Sequence, residues 1–75
     1  MPSFLVETYL ARDSAPAELT QQSSRVRFDR SIHIPEDEIC FYVFDAQSAR
    51  DVARAAKRAG LDPIRIVEAV SSGKD

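Results

Sequence analysis

The chain has one cysteine, one histidine and no tryptophan among its 75 residues. A lone cysteine forms no internal disulfide, which fits a reducing compartment and leaves a metal or self-association as the supports open to a small fold. Support matters here. A chain this short buries only roughly 60% of the surface its unfolded form exposes, and a single core of that size supplies only a few kcal/mol. Long apolar runs are missing as well, and nothing approaches the ~20 residues needed to cross a membrane. The N-terminus lacks a basic start followed by an apolar stretch, so no secretory signal is expected and the expected location is cytoplasmic. There is no excess of positive charge either. Ten Lys and Arg against twelve Asp and Glu leave −2, which argues against a nucleic-acid or anionic-membrane partner. Repeats and low-complexity segments are absent. The expected organisation is one domain over residues 1–70, with Ser71-Ser-Gly-Lys-Asp75 as a frayed tail.

The segments that remain read as alternating strands and helices. Phe4 to Leu10, rich in aromatic and aliphatic residues, is a first strand. Asp13 to Ser24 is expected to hold a helix of one or two turns, with Pro16 suited to its first turn and Glu18 to its dipole. Leu19 is its one large apolar residue, and Thr20-Gln-Gln-Ser-Ser24 offers no face to bury. Val26 to Ile34 and Ile39 to Asp45 are strand-like and joined by four residues, which predicts an antiparallel hairpin. A second helix follows Ser48. It has Asp51 three residues on, Val52, Ala55, Ala56 and Ala59 at helical spacing, and Gly60 where a left-handed cap is wanted. Pro63 stops it, and Ile64 to Val70 is a last strand. The order β-α-β-β-α-β predicts an α+β, ferredoxin-like domain: a four-stranded antiparallel sheet, two helices on one face, the first of them shortened.

Pairing Ile34 with Ile39 sets His33 opposite Cys40, Ser31 opposite Tyr42 and Asp29 opposite Phe44, all six on one side of the sheet. The other side then carries Phe28, Ile32, Ile34, Ile39, Phe41 and Val43, with Arg30 the exception, and is the expected floor for the helices. On that register Tyr42 and Phe44, joined by Tyr9 or Leu5, form an exposed apolar patch, an expected interface for a homodimer closed sheet to sheet. His33 and Cys40 are a directly opposed pair whose nitrogen and sulfur suit nickel, copper or zinc. Two ligands do not make a site: Glu7, Asp29, Tyr42 or a second subunit would have to supply the rest, and Glu7 and Glu36 are the chosen helpers. The competing reading is a half-buried histidine beside a small apolar cysteine.

Other chemistries find less in the residues. The run Glu36-Asp37-Glu38 lacks the alternate spacing and glycine of a calcium loop and reads as a solvated hairpin tip. Cysteine catalysis would require an oriented base and an oxyanion hole, and Cys40 lies within a strand with no helix start beside it. Cys40-Phe-Tyr-Val-Phe44 has the stacking aromatics of an RNA-binding module but neither its glycines nor its basic start. Arg50, Arg54, Lys57 and Arg58 read as a solvated helix surface.

Pro2-Ser-Phe-Leu-Val-Glu-Thr-Tyr-Leu10, Arg30-Ser31, Pro35-Glu-Asp-Glu38, Cys40-Phe41, Phe44, Ala46, Ser48-Ala49, Arg58-Ala-Gly-Leu61 and Arg65-Ile-Val-Glu-Ala-Val70 resemble the domain-of-unknown-function family 4242. The resemblance covers both ends and nearly everything after Arg30. It implies a small ferredoxin-like dimer and, through a branch named for nickel binding, a divalent transition metal. The chain departs from the family pattern in its shortened first helix, in Thr8 where arginine is common and in Gln47 where proline is common. The resemblance does not carry a ligand set over residue by residue. Three functions follow as expectations: a nickel-type metal binder in storage or sensing, a metal-free interaction module or small-ligand barrel using the open sheet face, and a barrel enzyme, for which no residue speaks specifically.

Overall fold

The structure, a computed structural model, describes residues 1–19 and 23–70. It is an α+β domain in which one α-helix packs on a four-stranded antiparallel sheet. Strand β1 runs Ser3–Tyr9, β2 Val26–Ile34, β3 Ile39–Ala46 and β4 Pro63–Ala69; helix α1 spans Ala49–Arg58. The sheet order is β2-β3-β1-β4, each neighbouring pair antiparallel. The frayed tail expected at residues 71–75 lies outside the described residues.

Helix α1 begins and ends where its residues predict. The Ser48 hydroxyl accepts the Asp51 N–H at 3.2 Å, capping the first turn. Gly60 takes φ 78°, a conformation that costs other L-residues about 1–2 kcal/mol. That turn lets the Leu61 N–H reach the Ala56 carbonyl at 2.9 Å and the Gly60 N–H reach that of Lys57 at 3.0 Å. Both orphan carbonyls are thereby satisfied, and Leu61 folds back onto the core.

The first expected helix is corrected. No helix lies among residues 13–19 or 23–24, and residues 20–22 are outside the described residues. The physical reason was visible in the composition: a segment with one large apolar residue cannot bury a helical stripe. Residues 13–19 are irregular instead. Leu10 and Leu19 press on the core, and the Ala17 N–H donates to the Tyr42 hydroxyl at 2.8 Å.

The two faces of the sheet are the reverse of those expected. Helix α1 covers Phe4, Val6, Cys40, Tyr42, Phe44 and Ala46, packed with Val52 and Ala56 of the helix itself. Val6, Cys40, Ala46, Val52 and Ala56 expose nothing. The helix brings alanines to the contact, so the sheet must supply the bulk, and its aromatic face does. The set Ile32, Ile34, Ile39, Phe41 and Val43 points the other way.

A β-bulge at Asp29 explains a second error. The register is as expected from Ile34↔Ile39 through His33↔Cys40 and Ser31↔Tyr42 to Arg30↔Val43. There β2 gains one residue, and Phe28 rather than Asp29 comes opposite Phe44. An extra residue reverses the alternation, so Phe28 turns to the helix side. Its ring meets Phe44 edge-on at 5.5 Å and Tyr42 at 6.3 Å.

These faces have a direct check. Phe44→Ala should cost about 3–5 kcal/mol, enough to unfold a domain of this size, while Ile32→Ala in dilute protein should cost less than about 1 kcal/mol. Urea midpoints of the two variants measure both, and a larger loss for Ile32→Ala would invert the face assignment again.

Candidate functional site

The hairpin that carries His33 and Cys40 is closed by a 3₁₀ turn at Pro35–Asp37, followed by Glu38 at φ 55°. Proline presets the first turn, and Glu38 adopts a left-handed conformation that few non-glycine residues hold. The surrounding bonds keep it there. The Glu38 N–H reaches the Pro35 carbonyl at 3.1 Å, and the Glu38 carbonyl accepts the Leu10 N–H at 2.9 Å. The Glu38 carboxylate accepts the Arg12 N–H at 3.1 Å and the Tyr9 hydroxyl at 3.4 Å. Of the acidic run expected to be solvated, Glu38 therefore ties the hairpin tip to the end of β1, while Glu36 and Asp37 are exposed.

His33 and Cys40 are cross-strand partners on the helix-covered side, with Cβ atoms of such pairs about 4.5–5.5 Å apart. Cys40 exposes nothing, and burial pushes its thiol up from the ordinary value, more than the neighbouring Tyr42 side chain and Ile32 backbone pull it back. A thiol held protonated in this way is a poor nucleophile and must lose its proton to bind a metal. His33 is half-buried. Its Nε2 is inaccessible and makes no hydrogen bond among the described residues, a state that costs about 1–3 kcal/mol in a folded protein.

The two helper carboxylates do not join this pair. The neighbour of Cys40 on β1 is Thr8, whose hydroxyl donates to the Cys40 carbonyl at 3.2 Å. Glu7 points to the opposite face, where Arg65 holds it at 2.8 Å. Glu36 lies exposed in the 3₁₀ turn. Among the described residues no three His, Cys, Asp or Glu side chains gather as a metal site would require.

The exposed apolar patch expected on Tyr42 and Phe44 is corrected by the same geometry. Tyr42 is 2% and Phe44 3% exposed beneath the helix. Burial raises the Tyr42 phenol, and the Ala17 N–H partly offsets this. Tyr9, 63% exposed, does lie on the uncovered side. That face has its own order. Across the strands run Arg30, Val43, Leu5 and Val67, then Ile32, Phe41, Glu7 and Arg65, then Ile34, Ile39 and Tyr9. At one end Arg27 reaches Asp45 at 2.8 Å and the Ser3 hydroxyl donates to the same carboxylate at 2.8 Å, which holds Asp45 below the ordinary carboxylate range. The uncovered side is thus an apolar field crossed by one ion pair, Glu7–Arg65, and bounded at one end by another, Arg27–Asp45. The signal for it was present in the regular apolar alternation of Ile32, Ile34, Ile39, Phe41 and Val43.

A shallow depression of about 360 Å³ lies between the irregular segment after β1 and the turn after α1, lined by Thr8, Leu10, Ala17, Tyr42, Leu61 and Asp62 among others. Among the described residues no helix is long and apolar enough to cross a membrane. Comparisons with protein-family models, with curated proteins and with solved structures return no match.

The buried thiol yields a prediction. Cys40 in the native protein should react with an aromatic disulfide reagent at pH 8 at least about tenfold more slowly than in urea. Equal rates would mean that the covered face opens freely.

Proposed function

We propose that the protein is a self-associating module in which two copies close their open sheet faces on each other. One observation carries this reading: among the described residues, Leu5, Ile32, Ile34, Ile39, Phe41 and Val67 share a face on which no helix packs, with Val43, 8% exposed, held among them. Its area suits a second copy. The molecule is a slab with extents of 32 × 32 × 19 Å, so a face offers up to about 1,000 Å², against about 800 Å² per partner in a standard stable interface. Its charges are largely paired within the face, Glu7 with Arg65 and Asp45 with Arg27. A partner of opposite charge is therefore not demanded, and a copy of the same surface is acceptable. The strand order β2-β3-β1-β4 with α1 behind it supports a ferredoxin-like classification in which the first helix is reduced to an irregular segment. The resemblance to family 4242 points the same way, and a reducing cytoplasmic location suits the free thiol.

Sedimentation equilibrium tests this. The 8.4 kDa chain should run at twice that mass at micromolar concentration. Phe41→Glu should return it to monomer with its circular dichroism retained, because it sets two like charges into an apolar contact. A monomeric wild type at 100-fold higher concentration would sink the proposal.

A second reading rests on a different observation. The Nε2 of His33, inaccessible and without a hydrogen-bond partner among the described residues, belongs to the residue paired across the strands with Cys40, and a divalent transition metal, nickel by family resemblance, would satisfy the nitrogen and draw the proton off the sulfur. Further ligands would then come from a second copy or from solvent. Calorimetric nickel titration of chelator-stripped protein at pH 7.5 should give micromolar binding, weakened at least about tenfold in both His33→Ala and Cys40→Ser. No heat from the wild type removes the metal and leaves the dimer standing.

A further inference from the structure

On the helix side of the molecule, away from the open face, three arginines converge on one depression. Its volume is about 90 Å³ and its lining is Ser23, Arg25, Val26, Asp51, Arg54 and Arg58. The convergence has a simple origin in spacing. Asp51, Arg54 and Arg58 stand three and four residues apart, which stacks them along one stripe of α1. Arg25, just before β2, meets that stripe from the side.

Asp51 fixes Arg25 in place. The Arg25 Nε and Nη2 reach the two Asp51 carboxylate oxygens at 3.3 and 3.1 Å, a two-pronged pairing that orients a planar guanidinium. The Asp51 side chain is 6% exposed while that of Arg25 is 67% exposed, so the carboxylate sits at the bottom with the guanidinium above it. Its negative charge would repel an anion, but Arg25 already neutralises it, and the pairing holds the Asp51 carboxyl below its ordinary range. Arg54 and Arg58 have no carboxylate partner among the described residues. Two like charges one turn apart weaken a helix by a few tenths of a kcal/mol, a cost that Arg58 offsets by standing in the last turn of α1, where a cation complements the helix dipole. Ser23 completes the rim. Its hydroxyl oxygen accepts the N–H groups of Arg25 and Val26 at 3.2 and 3.3 Å, which leaves the hydroxyl hydrogen free to donate outward.

We infer that this depression binds the phosphate group of a small soluble phosphomonoester. The local charge of three arginines against one aspartate is positive in a chain whose net charge is −2, so the corner is a local attractor in an otherwise repelling field. Guanidinium groups match the oxygens of a tetrahedral anion in forked pairs, which ammonium groups do not. The volume holds one such group and no large body, so the remainder of the ligand extends over the exposed helix. Carboxylates carry half the charge of a phosphate dianion and two oxygens where phosphate offers three, and they bind less tightly here.

The test is an amide NMR titration of the full chain with inorganic phosphate, and in parallel with glycerol phosphate, at pH 7.5 and low ionic strength. The expected result is saturable shifts of the Arg25, Val26, Asp51 and Arg54 amides with a millimolar or tighter Kd. That affinity should fall at least about fivefold in Arg54→Gln and in Arg58→Gln and less than about twofold in Lys57→Gln. Acetate at the same concentration should bind at least about tenfold more weakly. Three outcomes would each overturn the site: shifts linear to 20-fold above millimolar phosphate, a loss in Lys57→Gln as large as in Arg58→Gln, or equal binding of acetate. The first means no site, the second a diffuse field, the third a generic anion preference.

Discussion

A ten-residue helix, about 15 Å long, cannot blanket even one face of a four-stranded sheet, and this shortage of cover shapes the rest of the molecule. Helix α1 lies with an alanine face against the sheet, so the sheet must present its bulky residues there to exclude water. Phe4, Tyr42 and Phe44 do this, and the bulge at Asp29 turns Phe28 to join them. The remaining part of that face is closed by the irregular segment after β1. Its backbone would be costly to bury without partners, and the Tyr42 hydroxyl supplies one to Ala17 while the Glu38 carbonyl supplies another to Leu10. An aromatic residue in the core thus also serves as an anchor for a segment too polar to form a helix.

The positions of the four strands and of helix α1 were legible in the sequence because each is announced locally, whereas the helix expected before β2 was not borne out. Ser48, Gly60 and Pro63 bracket the second helix, and the hairpin register from Ile34 to Arg30 follows from the four-residue connection. The faces were not legible, for a specific reason. On the hairpin both faces are apolar: Ile32, Ile34, Ile39, Phe41 and Val43 on one, Cys40, Tyr42 and Phe44 on the other. A rule that sends the more apolar face inward chose the aliphatic set, but the helix contributes small side chains and selects the face with larger rings. The polar neighbours Ser31 and His33 strengthened the error, since both look like surface residues while sitting at the edge of the covered side. The bulge added to it, because a single inserted residue leaves no trace in composition yet reverses every side chain beyond it.

The site residues divide along the same line. His33 and Cys40 are opposed as the register required, because register is a property of the hairpin alone. Their helpers were chosen by proximity in sequence or strand, and sheet alternation separates them: Glu7 shares a strand with Thr8 but faces the other way. What distinguishes the pair chemically is burial. It raises the thiol and strips the histidine Nε2 of water, so the same environment that would make the pair selective for a soft metal opposes ionisation of the sulfur.

Covering only one face has a consequence for how the surfaces are used. The uncovered sheet face carries apolar side chains around an internal Glu7–Arg65 pair, with Arg27–Asp45 at one end, an arrangement compatible with the proposed association. The helix side is the opposite: its core contact is complete, so its outer residues are free of packing duty and can concentrate charge, as Arg54 and Arg58 do around the Arg25–Asp51 pair. Association through the open face would leave that corner facing solvent on both copies. An anion bound there would sit against α1 and the entry to β2, the two elements that Arg25 and Asp51 join. It would add counter-charge beside the adjacent Arg54 and Arg58, and so stabilise the covered layer without touching the apolar one. The two surfaces are separable by design of the sheet itself, because alternation along β2 and β3 assigns every residue to one side only.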